Sequence, residues 1–375
     1  MINVLVYLFL YLSFRCYSTE AKIPIPFPQY KNVQKDLKQN GWVRLPNVLQ
    51  NAGFDIQSTA QLVKKSVEEE KESCATCTDV DSVDIKNDKC FGCDLSMRQT
   101  ETEEEIPRAF LRARRLRGLD NIIRSRELGK IVANAMNATK LRLYQASSFI
   151  KRVGDVESVF HQDAQAAPFD SDNLVTLWIA LSNIRQNCGL LKFVNGSHLS
   201  QVKGSARDIR PISRRLFKSK IFDMNDEEIA ETTQCAVIQP PIEGMFAGDA
   251  TLHLGWTLHG ASPNKCEEER TGLAIMYFVE GARIDNNLVL IEDENGNDFS
   301  GNPAMHMDGD EFAIKLKMWG HTMFVRLLGD DSITWLKWLS KKPMPLLING
   351  AEVNDNELTP LIFDKSDDHE VNAEL

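Results

Sequence analysis

Residues 258–279 read Leu-His-Gly-Ala-Ser-Pro-Asn-Lys-Cys-Glu-Glu-Glu-Arg-Thr-Gly-Leu-Ala-Ile-Met-Tyr-Phe-Val, which predicts a short strand, a turn and a long apolar strand. Such a hairpin returns Arg270 to the neighbourhood of His259, where the planar guanidinium could bind a carboxylate through two parallel hydrogen bonds. About a hundred residues earlier, a single residue separates His161 from Asp163. On an extended strand these two side chains point to the same face, so both could hold one metal ion.

His161, Asp163 and His259 together form the ligand set of one kind of metal site. Two imidazoles and one carboxylate on one face of a metal leave positions open, as in non-heme Fe(II) oxygenases. A structural zinc site would fill those positions with further protein ligands. We therefore predict a ferrous centre that binds a 2-oxo acid, whose far carboxylate meets Arg270. His253 lacks the hairpin relation to Arg270, and we interpret it as a packing residue or as one that supports the ligands.

Other short motifs occur along the chain between residues 28 and 281. They are Phe149-Ile150-Lys151, His161-Gln162-Asp163-Ala164, Asn-Leu-Val-Thr-Leu-Trp-Ile-Ala-Leu (173–181), Gly-Leu-Leu-Lys-Phe-Val-Asn-Gly-Ser-His (189–198), Gly248-Asp249, and Leu258-His259-Gly260 with Arg270. In this order and at about this spacing, the set resembles the phytanoyl-CoA dioxygenase family of Fe(II)- and 2-oxoglutarate-dependent oxygenases. His-x-Asp alone is a weak signal, whereas the whole set is specific.

The resemblance implies roles for particular residues. His161, Asp163 and His259 are implied as the iron ligands, and Arg270 as the partner of the 2-oxoglutarate 5-carboxylate. Relatives often place a serine two residues after the second histidine, but here that position is Ala261 and the serine is Ser262. The further cosubstrate-pocket residues that we predict are Gln162, Trp178, Lys151, Ser147, Gln145 and Ser262.

The fold that we predict is mainly β, with flanking helices. Alternating apolar strands dominate from residue 141 to residue 279 and are consistent with a double-stranded β-helix, a cupin-like jelly roll of two facing sheets. The dioxygenase domain is expected to span residues 19–281, and residues 282–375 to form a C-terminal extension that packs on the core and ends in a disordered tail. Residues 203–231 interrupt the strands as a substrate lid or a plain surface loop.

Asp163 also bears on the type of reaction. Related iron halogenases lack this carboxylate and bind a halide in its place, so its presence favours hydroxylation. We expect O2 and 2-oxoglutarate to be consumed, the latter giving succinate and CO2, while a small organic molecule is hydroxylated. Two alternatives stay open: an oxygenase that acts on a protein or peptide side chain, and a non-catalytic metal- or ligand-binding module on the same fold.

The composition limits the possible partners. The chain has 375 residues, of which 43% are hydrophobic, enough for a sizeable core in one large domain or two smaller ones. Its net charge of −10 argues against nucleic acid as a main partner, since phosphate binding requires a basic face. A basic helix is predicted over residues 107–126. Its arginine face is either exposed to solvent or in contact with an anionic substrate. The oligomeric state is not predicted.

The first residues indicate a cellular compartment. Residues 1–14 are almost wholly apolar, which is too short for a membrane span of about twenty residues but suits a secretory signal. Cys16 and Ser18 are small residues at the positions that a signal-peptide cleavage site after Ser18 requires. We predict a signal peptide at residues 1–18, entry into the secretory pathway (endoplasmic reticulum lumen or secretion) and no stable membrane span. A mitochondrial location is the alternative.

Cysteines and glycosylation sequons fit the same compartment. An insertion at residues 71–106 carries two Cys-x-x-Cys pairs, which we expect to form disulfides of unknown pairing in an oxidising compartment. In a reducing compartment they would instead form a zinc site. Asn137-Ala-Thr139 and Asn195-Gly-Ser197 are acceptor sequons for glycans, although the second lies inside a family motif. The paired cysteines are Cys74, Cys77, Cys90 and Cys93.

Overall fold

The structure, a computed structural model, covers the predicted barrel and part of the C-terminal extension. It describes residues 32–74, 111–113, 118–167, 169–170, 173–199, 226–233, 235–238, 244–284, 289–292, 312–318, 321–327, 352–354, 356 and 360–367. The predicted signal peptide, Cys77, Cys90, Cys93, most of the predicted tail and most of the predicted lid lie outside these residues. In the described part of the chain, no helix combines the length and apolar character needed to cross a bilayer.

Strands make up most of the regular structure. The helices are α1 (Val33–Asn40), α2 (Val48–Asn51), α3 (Ile56–Cys74), α4 (Asp120–Ile123), α5 (Arg126–Met136) and α6 (Asp226–Thr233), with 3₁₀ turns at Asp163–Ala166 and Ser197–Leu199. The strands are β1 (Trp42–Leu45), β2 (Leu111–Ala113), β3 (Lys140–Lys151), β4 (Ser158–His161), β5 (Phe169–Asp170), β6 (Leu174–Ala180), β7 (Leu191–Val194), β8 (Val237–Ile238), β9 (Ala250–Leu254), β10 (His259–Ala261), β11 (Arg270–Val279), β12 (Arg283–Ile284), β13 (Val289–Glu292), β14 (Phe312–Met318), β15 (His321–Leu327) and β16 (Leu361–Asp364).

Two antiparallel sheets form the barrel. The larger has the order β1-β9-β6-β11-β3-β16, with β2 also paired to β3, and the smaller has the order β4-β10-β7-β8. Apart from β2 with β3 and β7 with β8, the strands paired in these sheets are not neighbours in sequence, as in a jelly roll, and the predicted mainly β fold is confirmed. The hairpin predicted for residues 258–279 is wrong, because β10 and β11 lie in different sheets. Strands β5 and β12 form a separate pair, and β13, β14 and β15 a separate three-stranded sheet.

Strand β11 lies at the centre of the larger sheet and is buried on both faces. Leu273, Ile275 and Tyr277 point outward into the hydrophobic core that the helices cover, whereas Ala274 belongs to a second cluster between the two sheets. This double burial explains why the sequence of β11 is a continuous apolar run rather than an alternating one. The inner face of β11, which starts at Arg270, therefore points into the barrel.

Helix α5 covers the outer face of the larger sheet. Its first turn is capped by the Ser125 hydroxyl, which accepts a hydrogen bond from the Leu128 backbone N–H at 3.2 Å. Asn137 ends the helix in the left-handed conformation, with a φ of 52°. Strand β16, from the predicted C-terminal extension, pairs with β3 at the edge of the larger sheet and contacts α5.

The basic helix predicted for residues 107–126 is wrong at residues 111–113. These residues form β2, which pairs with β3, and among the described residues of this stretch the helical structure is α4. A free edge of β3 offers unpaired backbone hydrogen-bonding groups, and this pairing overrides the local helical periodicity. The arginine at position 112 therefore lies on a strand.

A disulfide joins two loops at one end of the barrel. Cys188, between β6 and β7, is bonded to Cys266, between β10 and β11, and the Cα atoms are 5.2 Å apart. The same loops share backbone hydrogen bonds from Gly189 N–H to the Pro263 carbonyl and from Lys265 N–H to the Asn187 carbonyl. Neither cysteine has a partner that the sequence predicts, because the pairing depends on strand order in the folded barrel.

Removal of this cross-link is expected to destabilise the protein. The bond closes a loop with a sequence separation of 78 residues, so a Cys188→Ala/Cys266→Ala variant should lose about 2–4 kcal/mol of unfolding free energy. Urea denaturation followed by tryptophan fluorescence measures the loss. The single variant Cys266→Ser should lose a similar amount, since either change removes the same bond. An unchanged midpoint and slope in both variants would contradict the expectation.

Candidate metal centre and anion pocket

The predicted metal ligands meet where β4 pairs with β10. His161 ends β4, His259 begins β10, and the two are directly opposed in the antiparallel register. Gln162 is extended, with φ −125° and ψ 124°, so Asp163 points to the same face as His161. The Nε2 atoms of His161 and His259 lie 3.7 and 3.8 Å from the Asp163 Oδ1 atom. The three ligand atoms are all within 4.8 Å of one another, close enough to bind one ion.

The surroundings of His259 present its Nε2 lone pair to the metal. Its Nδ1 atom lies 3.0 Å from the Thr257 carbonyl oxygen, which can only accept, so the ring proton is on Nδ1. Burial, and then the neighbouring imidazoles of His161 and His253, hold the pKa of His259 well below its ordinary value. The ring is therefore neutral at physiological pH, as a metal ligand must be.

Asp163 is ionised although it is buried. Burial raises the pKa of the carboxyl, but the imidazoles of His259, His253 and His161 and the hydrogen bond from His253 outweigh that effect and lower it well below its usual range. Its Oδ2 atom accepts a hydrogen bond from the Thr176 hydroxyl at 2.6 Å and lies 3.2 Å from the His253 Nε2 atom. The interpretation of His253 as a residue that supports the ligands agrees with this contact.

One side of the metal centre is open. The side chain of His161 is 42% exposed, whereas those of Asp163 and His259 are 8% and 6% exposed. Phe193 closes the opposite side, since it packs against both His259 and His253 and stacks on Trp42 with ring centroids 4.6 Å apart. A substrate can therefore approach the centre from the side of His161.

Arg270 and Trp178 form the base of a second site, which we call the anion pocket. The guanidinium carbon of Arg270 lies 4.8 Å from the centroid of the Trp178 ring, and its Nε donates to the Gly189 carbonyl at 3.1 Å. Gly272 permits this stacking, because a Cβ there would lie 2.3 Å from the Trp178 Cζ2 atom. Burial alone lowers the pKa of Arg270 to about 10. Among the described residues, no carboxylate is within ion-pair distance of it.

Lys151 adds a second buried cation to the anion pocket. It is directly opposed to Arg270 in the β3–β11 register, and its Nζ donates to the Ser158 hydroxyl at 3.2 Å. Burial, and then the charge of Arg270, lower the pKa of Lys151 to about 7. A Cβ on Gly189 would lie 2.7 Å from the Lys151 Cδ atom and 3.3 Å from the Arg270 Nε atom. Both cations thus line the same narrow space.

The other predicted pocket residues have different surroundings. Gln162 is buried and donates to the Trp256 carbonyl at 2.7 Å, and the Ser262 hydroxyl donates to the Leu190 carbonyl at 3.4 Å. Gln145 and Ser147 lie on the inner-face register of β3, opposite Met276 and Ala274 of β11. The Gln145 amide contacts the Met276 sulfur at 3.0 Å. Their contact with a cosubstrate stays a prediction.

Two features of these sites were not predicted from the sequence. Thr176 lies within an apolar run that reads as core, and only the register of β6 turns its hydroxyl toward Asp163. Gly189 belongs to a motif that was recognised, but its contact with Arg270 depends on the loop geometry. A polar residue within an otherwise apolar strand was the signal that could have identified Thr176.

Comparison with known proteins agrees with the geometry. The model of the phytanoyl-CoA dioxygenase (PhyH) family matches residues 39–272, which is 234 of the 375 residues. A probable alpha-ketoglutarate-dependent hypophosphite dioxygenase of Stutzerimonas stutzeri is 27% identical over 164 residues. That alignment covers 44% of this chain and 54% of the relative, so the chain spans about half the length of the curated relative that it matches.

The solved structures that resemble this chain are more distant in sequence. The non-heme alpha ketoglutarate dependent carbocyclase SnoK from nogalamycin biosynthesis is 17% identical, with a TM-score of 0.47, and the match covers 68% of this chain and 86% of that one. The apoform of EctD from S. alaskensis is 12% identical, with a TM-score of 0.45 and coverage of 73% and 83%. Since the family model spans more than half of its residues, this chain belongs to the phytanoyl-CoA dioxygenase family.

Proposed function

We propose that the protein is an Fe(II)- and 2-oxoglutarate-dependent dioxygenase that hydroxylates a small organic molecule. The observation that carries this proposal is Arg270, a buried guanidinium on Trp178 without a protein carboxylate among the described residues. A buried charge without a partner destabilises a protein, so this position calls for an anionic ligand. The His161, Asp163 and His259 side chains provide the matching metal site on the facing sheet.

The chain's own residues bind and orient the reactants. His161, Asp163 and His259 fit one Fe(II), and Arg270 with Lys151 fits the far carboxylate of 2-oxoglutarate. When bound, Fe(II) and 2-oxoglutarate supply the oxidising chemistry, in which O2 is consumed, succinate and CO2 are formed and one oxygen atom enters the substrate. The stacked Trp42 and Phe193 rings exclude water from the buried side of the centre.

A small substrate is favoured over a protein side chain. Hypophosphite, the substrate in the name of the curated relative, is itself a small molecule. The alternative of a non-catalytic binding module requires the metal and anion sites to persist without turnover. Succinate formation separates the two: an oxygenase produces succinate from 2-oxoglutarate, whereas a binding module does not.

An anaerobic titration tests the metal centre and the anion pocket together. Addition of Fe(II) and then 2-oxoglutarate should produce a visible charge-transfer band that requires both. His161→Ala should abolish the band. Arg270→Ala should raise the 2-oxoglutarate requirement roughly 30-fold or more, since it removes one partner of a buried charge pair.

His198→Ala provides a matched control for this titration. His198 is a buried histidine whose Nε2 lies 3.0 Å from the Lys38 carbonyl oxygen, and its loss should leave the band intact. A folded wild-type protein that gives no band would contradict the oxygenase proposal. Full activity of His161→Ala in succinate formation would do the same.

The affinity for 2-oxoglutarate should depend on pH through Lys151. Its pKa of about 7 in the free protein rises when a carboxylate binds beside it, so binding above pH 7 requires proton uptake. The affinity should therefore be highest near or below pH 7 and fall as the pH rises, by up to about tenfold per pH unit. Titrations of the charge-transfer band between about pH 6.5 and 8.5 measure this slope.

Two variants show whether Lys151 is responsible for the slope. Lys151→Met should lose the pH dependence in this range and bind 2-oxoglutarate more weakly at pH 7. Lys192→Met is the control, because Lys192 is another buried lysine, but its ammonium pairs with Asp226. The same slope in Lys151→Met and in the wild type would show that another group titrates.

We infer further that the protein enters the secretory pathway, either remaining in the endoplasmic reticulum lumen or leaving the cell. The Cys188–Cys266 disulfide supports an oxidising compartment. Asn137 is exposed beyond the end of α5, whereas the Asn195 side chain accepts a hydrogen bond from the Trp42 indole at 3.2 Å. A glycan is therefore expected at Asn137 and not at Asn195.

Glycosidase treatment of protein expressed in eukaryotic cells tests this location. The treatment should increase the electrophoretic mobility of the wild type and of Asn195→Gln, but not that of Asn137→Gln. An unchanged mobility of the wild type would contradict passage through the secretory pathway and favour the mitochondrial alternative.

A further inference from the structure

The two oxygen atoms of the Asp163 carboxylate have different surroundings. Oδ1 faces the other two ligands and lies 3.7 and 3.8 Å from the Nε2 atoms of His161 and His259. Oδ2 points away from them and contacts the Thr176 hydroxyl at 2.6 Å and the His253 Nε2 atom at 3.2 Å. One oxygen is thus directed to the metal centre, and the other is already occupied by protein donors.

Both contacts to Oδ2 are donations to the carboxylate. An ionised carboxylate oxygen can only accept hydrogen bonds, so the His253 Nε2 atom carries the proton that it donates to Oδ2. The remaining Nδ1 atom of His253 is buried without a hydrogen-bond partner in the part of the chain that the structure describes. The position of this ring is therefore explained by its hydrogen bond to Asp163 and by its packing.

The two donors are held rigidly. Thr176 and His253 are directly opposed in the antiparallel pairing of β6 with β9, and each is 1% exposed. His253 is also opposed to Trp42 of β1 and packs against Phe193, with ring centroids 5.4 Å apart. Thr176 is β-branched, which restricts its first side-chain torsion. Neither side chain can leave Oδ2 without disturbing the centre of the larger sheet.

We propose that Thr176 and His253 are positioning residues that restrict Asp163 to metal binding through one oxygen atom, Oδ1. A metal ion held by His161, Asp163 and His259 would keep further positions free for the cosubstrate and O2. Binding of Oδ2 to the metal would occupy one of these positions. The inference rests on the proposed function for the identity of the metal and its ligands.

Mn(II) binding to the folded protein, measured by electron paramagnetic resonance without cosubstrate, tests this role. Thr176→Val keeps the shape of the side chain and removes the hydroxyl donor, and His253→Phe keeps a ring and removes the N–H donor. Each should weaken Mn(II) binding by roughly 10- to 100-fold, as loss of partners of metal ligands typically does. Thr176→Ser restores a donor and should bind Mn(II) within about threefold of the wild type.

Thr251→Val is the matched control. Thr251 is a fully buried threonine on the same face of β9, two residues from His253, and its hydroxyl has no hydrogen-bond partner among the described residues. This variant should bind Mn(II) as the wild type does, and urea denaturation of all variants shows whether each is folded. A fold defect in Thr176→Val leaves His253→Phe, on the neighbouring strand, as an independent test.

A second measurement separates positioning from a general packing role. The charge-transfer band of the Fe(II)–2-oxoglutarate complex should shift in wavelength in Thr176→Val and His253→Phe, and return in Thr176→Ser. Wild-type Mn(II) affinity and an unshifted band in both folded variants would overturn the inference and leave the proposed function intact. Failure of the wild-type protein itself to bind Mn(II) would instead overturn the proposed function.

Discussion

The antiparallel pairing of β4 with β10 is the constraint on which the metal centre depends. His161 and His259 are far apart in the chain and meet only because these strands are directly paired. The strands are short, and their register is fixed by the neighbours on either side, since β10 also pairs with β7. A slip of one residue would turn His259 to the opposite face of the sheet, and the site would lose its second imidazole.

The larger sheet carries several of the side chains that surround this pair. Arg270, Trp178, Thr176 and His253 all lie on its inner face, distributed over β11, β6 and β9. Trp178 and Thr176 are two residues apart on β6, a separation of about 6.6 Å along a strand. The anion pocket and the support of Asp163 are therefore neighbouring positions of a single rigid surface.

The sequence predicts the centre of this molecule better than its periphery. The shared face of His161 and Asp163 could be predicted because it depends on local spacing, whereas the expected hairpin from His259 to Arg270 is replaced by strands in two different sheets. The meeting of His161 with His259 and the jelly roll were expected from the resemblance to the family. Thr176 and the Cys188–Cys266 pairing could not, because they depend on which strands are neighbours in the barrel. The predicted helix at residues 107–126 was wrong where it meets β3, since edge pairing is a tertiary effect that local periodicity does not contain.

The disulfide and the anion pocket are parts of the same end of the barrel. Cys188 directly precedes Gly189, whose carbonyl accepts from Arg270 and whose missing side chain makes room for Lys151. Two buried cations repel each other and favour separation of the strands and loops that carry them. The covalent bond to Cys266 opposes that separation in the absence of an anion. A pocket that is held in its binding geometry in this way loses little conformational freedom when a dicarboxylate binds. Less of the electrostatic attraction is then offset by lost entropy, and the affinity is higher.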